Sequence, residues 1–79
     1  MDEKLTIYDK KTKEILNEWN DRETIYKSLY DCMSARYFFK ASSVERIYQR
    51  NLCNGYRRIK VYCDNNTIWE FIVKEWKNI

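Results

Sequence analysis

The sequence predicts an α+β fold in which a central helix-turn-helix pair is bracketed by two β-hairpins that form a small antiparallel sheet. Three observations predict it. Apolar residues alternate with polar ones near both ends of the chain, which is the period of a half-buried strand. The middle instead carries apolar residues three and four apart. The only glycine of the 79 residues, Gly55, stands where that helical stretch gives way to the second alternating one. The chain is expected to form a single domain, with a first hairpin over 4–18, the helical pair over 21–51 and a second hairpin over 56–76.

In the first hairpin Leu5 and Ile7 share a face, Asp9 to Thr12 is polar turn material, and Ile15-Leu16 resumes the apolar pattern. The first helix has two possible openings, the capping boxes Asn20-x-x-Glu23 and Ser28-x-x-Asp31. The earlier one places Ile25, Leu29, Met33 and Tyr37 on a single stripe. Ser42-x-x-Glu45 is a third capping box and opens a second helix carrying Val44, Ile47 and Tyr48. Between the two helices lies Phe38-Phe39-Lys40-Ala41, where the turn of such a unit often has glycine. Asn54-Gly55 is a ready left-handed stop for the second helix. Beyond it, Ile59, Val61 and Cys63 alternate, Asp64 to Asn66 turns, and Trp69, Phe71 and Val73 alternate again. Helical spacing of Ile68, Ile72, Trp76 and Ile79 competes for the last segment, but the β-branched and aromatic residues of 67–73 favour a strand.

A chain this short buries a modest share of its surface, so its core must be built from few large groups. Seven Tyr, three Phe and three Trp supply them, and most are expected in the core or on half-buried sheet. Tyr48 and Tyr56 lie inside a basic block and stay open to a binding role. Cys32, Cys53 and Cys63 are odd in number and widely spaced, which argues against a disulfide framework and fits free thiols in the cytoplasm. No charged-then-apolar leader and no span of roughly 20 apolar residues is visible, so neither secretion nor a membrane is expected.

Catalysis is not expected. There is no histidine to act as general base, and one glycine excludes a glycine-rich phosphate loop. The twelve acids are dispersed among lysines and arginines, so no metal site and no cofactor is expected. Charge points elsewhere. Residues 36–60 hold seven basic residues against the single acid Glu45, in a chain whose net charge is only +3. A basic block laid over a helical pair is the electrostatic footprint of a nucleic-acid-binding module.

Three stretches also carry a family resemblance: Ile7-Tyr-Asp-Lys-Lys-Thr-Lys-Glu-Ile15, Ser42-Ser-Val-Glu-Arg-Ile-Tyr48 and Asn54-Gly-Tyr-Arg-Arg-Ile59. In this the chain resembles small phage helix-turn-helix proteins, and is similar to the modular DNA-binding repeats attached to homing endonucleases. The resemblance implies a second helix presented to DNA through Ser42, Ser43 and Arg46. With the basic block, the expectation is a small non-catalytic module or regulator that binds double-stranded DNA, with Ser42, Ser43, Arg46, Gln49 and Arg50 in the major groove, Arg57, Arg58 and Lys60 on phosphates, and Lys40 a further nucleic-acid-binding residue. DNA-binding helix pairs commonly dimerise, and Ile68, Ile72 and Trp76 would supply a homodimer or partner interface. The alternative is a phage-encoded inhibitor that binds a host defence protein.

Overall fold

The computed structural model describes residues 2–34 and 44–74. Five strands and one helix follow one another: β1 (Lys4–Asp9), β2 (Ile15–Trp19), α1 (Arg22–Ser34), β3 (Val44–Asn51), β4 (Tyr56–Cys63) and β5 (Thr67–Lys74). All pairings are antiparallel, and the sheet runs β2-β1-β5-β4-β3, so the first strand lies against the last.

This corrects the expected fold class. Among the described residues there is one α-helix on a five-stranded antiparallel sheet, a mostly β arrangement, and not the helix-turn-helix pair bracketed by hairpins. The segment read as the second helix, Val44–Asn51, is a strand paired with β4 along its length. Lys40, Ser42 and Ser43, and with them the expected turn, lie outside the described residues, as does Trp76. Helical spacing of Val44 and Ile47 lost to cross-strand pairing, which satisfies the backbone groups that a helix would have satisfied internally. With one neighbour in the sheet, β3 buries few side chains, and its sparse apolar residues match either period.

Helix α1 opens at Asp21, whose carboxylate accepts the Thr24 N–H at 2.8 Å. The cap therefore lies one residue past Asn20. Ile25, Leu29, Cys32 and Met33 recur at helical spacing and are the helix's buried residues. They close over Leu5 from β1, Ile59, Val61 and Cys63 from β4, and Phe71 and Val73 from β5. Trp19, Ile47 and Trp69 pack around that core. Each fully buried side chain of this kind contributes about 1.5–3 kcal/mol.

The turns set the register. Between β1 and β2 the Asp9 carboxylate accepts the N–H groups of Lys11 and Thr12 at 2.9 and 2.8 Å. It also accepts the side-chain amide of Asn66, at 2.7 Å, from the β4–β5 turn. Thr12 first, then Lys11 and Asn66, hold this carboxyl below the usual range. Asn54-Gly55, expected to stop a helix, instead joins β3 to β4, with φ of +59° and +76°. The second value suits a residue without Cβ. Both edge strands carry a bulge, Leu16 in β2 and Glu45 in β3, each an extra residue opposite one on its neighbour. A bulge twists an edge away from further pairing.

Candidate nucleic-acid interface

Because α1 covers one face of the sheet, the registers define what stands on the other. Three rows run across it. Arg50, Arg58, Ile72 and Lys4 form the first; Tyr48, Lys60, Glu70, Thr6 and Glu18 the second; Arg46, Tyr62, Ile68, Tyr8 and Ile15 the third. Among the described residues no helix packs on these rows.

The β3–β4 end of the face is basic and aromatic. Arg46, Tyr48, Arg50, Arg58, Lys60 and Tyr62 line a shallow depression of about 370 Å³. Strand alternation makes it: residues two apart on β3 and on β4 project on the same side, about 6.7 Å from one to the next. The Arg46 guanidinium lies over the Tyr62 ring, 4.4 Å from its centroid, a contact that holds the cation flat without neutralising it. Tyr48 stands half-exposed among the cations.

Arg50 and Arg58 face each other directly across β3 and β4. Like charges in that position cost stability. Neither they nor Arg46 form an ion pair among the described residues. The Nε of Arg58 is, moreover, buried without a hydrogen-bond partner among the described residues, a cost that an anion bound at this point would relieve.

Toward β5 and β1 the character changes. Lys60 Nζ sits 3.6 Å from Glu70 Oε2, and the Tyr8 hydroxyl donates to the same carboxylate at 3.5 Å. Burial first, and then Glu70, push the Tyr8 phenol above its ordinary range. Lys4 pairs with Glu18 at 2.6 Å. Acids thus bound the basic area on one side.

Of the expected contact residues, Arg46, Arg50, Arg58 and Lys60 come together on this face. Gln49 and Arg57 do not. They lie on the opposite side of their strands, where Arg57 donates to the side-chain oxygens of Asn51 and Gln49 at 3.1 and 3.4 Å. The major-groove arrangement expected of Arg46, Gln49 and Arg50 is overturned with the helix that was to carry it, since these three alternate between faces of a strand. Ile68 and Ile72 do share a face, but Ile68, in register between Tyr62 and Tyr8, is only 3 % exposed and offers a second chain almost no surface.

Tyr62 is the residue of the site that sequence reasoning missed. The signal was there: Arg46-x-Tyr48-x-Arg50 and Tyr56-x-Arg58-x-Lys60-x-Tyr62 alternate basic and aromatic residues at the period of a strand.

Elsewhere the molecule offers little chemistry. No group of three or more His, Cys, Asp or Glu residues among those described is arranged to hold a metal ion. Burial pushes the Cys32 thiol up to about 12 and raises that of Cys63, so both behave as apolar core atoms. Cys53 is exposed. No described helix is long and apolar enough to cross a membrane. No family model matches the chain, and no curated protein or solved structure matches it either.

Proposed function

We propose that this chain is a non-catalytic nucleic-acid-binding domain that uses the open face of β3 and β4. One observation carries the reading: Arg46, Arg50 and Arg58 are gathered with Lys60 on one side of the sheet, two of them directly opposed, and none of the three arginines has a carboxylate partner among the described residues. A face that only had to be solvated would gain stability by alternating charges across the strands. Cations concentrated against their own repulsion suit a polyanion, whose phosphates replace the missing carboxylates and release counterions on binding. The tyrosines between them suit a ligand that also presents aromatic surface.

Titration of a labelled oligonucleotide against the whole chain, followed by fluorescence anisotropy across a salt series, tests this. At physiological salt the expected dissociation constant is about 10⁻⁴–10⁻⁶ M, tightening as salt is lowered. Arg50→Ala and Arg58→Ala should each weaken binding and flatten the logarithmic salt slope by roughly 0.7–0.9. Lys27→Ala, on the exposed side of α1, should leave both unchanged. Absence of any affinity at low salt overturns the reading.

A further inference from the structure

We infer that the ligand of this face is a single strand of nucleic acid, bound through its base faces as well as its phosphates, and not a duplex; the inference rests on the reading of the face as a nucleic-acid surface. In a duplex the base faces are stacked on one another and only base edges and phosphates reach a protein. A protein that reads phosphates alone needs cations and has no use for exposed rings among them.

Here rings and cations alternate. Tyr48 keeps 49 % of its surface exposed between Arg46 and Arg50 on the same side of β3. Next to it the Arg46 guanidinium is spread over Tyr62, and such a plane accepts a stacked base as an aromatic ring does. Two adjacent flat platforms on one sheet face can take successive unstacked bases. The opposed pair Arg50 and Arg58, with the Nε that has no partner among the described residues, lies one row beyond Tyr48, where it can meet the backbone beside the base stacked there.

The geometry also disfavours a duplex. The major groove is about 12 Å wide and admits an α-helix or a two-stranded ribbon. The basic rows belong to a five-stranded sheet, spaced about 4.8 Å per strand, and continue without a break into β5 and β1. A duplex would rest on β3 and β4 and meet Glu70 on the next strand.

Base stacking is common to DNA and RNA, so the test has arms for both. The whole chain is titrated with single-stranded DNA, single-stranded RNA and duplex DNA of one length and sequence, in parallel with Tyr48→Leu and Tyr48→Phe. Either single strand should bind on the order of tenfold more tightly than the duplex. Tyr48→Leu should weaken single-strand binding on the order of tenfold and leave duplex binding as it was, while Tyr48→Phe retains affinity. Thermal melts confirm that both variants fold. Duplex bound as tightly as both single strands, or Tyr48→Leu without effect on them, overturns the inference while Arg50-dependent binding keeps the nucleic-acid reading intact. If no oligonucleotide binds at low salt, both fall.

Discussion

Strand β4 gives one side to each of two environments that obey opposite rules. Toward α1 it sends Ile59, Val61 and Cys63, all buried, into a core that among the described residues holds no buried polar or charged residue. Toward the open face it sends Arg58, Lys60 and Tyr62, beside further arginines on β3. On the covered side every neighbour adds to stability. On the open side like charges are opposed and a guanidinium nitrogen lacks a partner. The difference teaches that the core carries the fold alone, so the other face is at liberty to hold an arrangement that costs stability.

The largest expected effect comes from the covered side. Phe71, fully buried beneath the helix, should cost about 3–5 kcal/mol when replaced by alanine, read as a shift in the urea midpoint. For a domain of this size that is a large share of the total. Tyr48→Leu, on the other side, should move the same midpoint by no more than about 0.5 kcal/mol. Equal losses from the two would break the division between the faces.

Alkaline pH probes the same core. The Cys32 thiol is raised from 9.0 to about 12 in the folded chain, so its contribution is complete below the unfolded value. It is lost as pH rises through that interval, because the unfolded thiol ionises first. The expected decline is up to about 1.4 kcal/mol per pH unit for this group, and Cys32→Ala should reduce it. Denaturant midpoints collected from pH 9 upward check the slope; Cys63, Tyr8 and Tyr26 shift in the same direction and leave a remainder.

Arg58→Met should move stability and binding in opposite directions. Relief of an opposed charge and of an unsatisfied buried nitrogen should add about 1 kcal/mol, while oligonucleotide affinity falls. A melt and an anisotropy titration on the same preparation test both signs. The smallest effect is expected at Glu70→Gln, which releases Lys60 and should tighten binding about two- to threefold at low salt, fading as salt screens it.

The sequence was more legible on the covered side than on the open one. Ile59, Val61, Cys63, Phe71 and Val73 alternate because each must reach one apolar core, and alternation survives without knowledge of partners. Val44–Asn51 offered no such constraint. On a strand with one neighbour its apolar residues Val44 and Ile47 are only half-buried, and the capping box Ser42-x-x-Glu45 fitted a helix equally well. The basic block located Arg46, Arg50, Arg58 and Lys60 by composition alone, which is indifferent to period. Separating them from Gln49 and Arg57 required knowing that the period there is two, and that is fixed by pairing with β4, a tertiary fact.

The pairing of β1 with β5 has a consequence for the order in which the molecule is assembled. During synthesis β1 and β2 emerge first, yet the strand that separates them from the rest of the sheet emerges after all the others. Until Thr67–Lys74 is made, the early pair has no further strand beside it and only α1 to pack against, and an isolated two-stranded unit is at best marginally stable in water. Leu5 and Ile7 therefore have only the α1 side of their core while β3 and β4 are translated. Closing a loop of nearly the whole domain must precede the gain from these contacts, which slows folding relative to a helical protein of equal length. The clasp between Asp9 and Asn66 fastens the same two distant stretches, so the strand of the sheet that is made last is also the one that completes it.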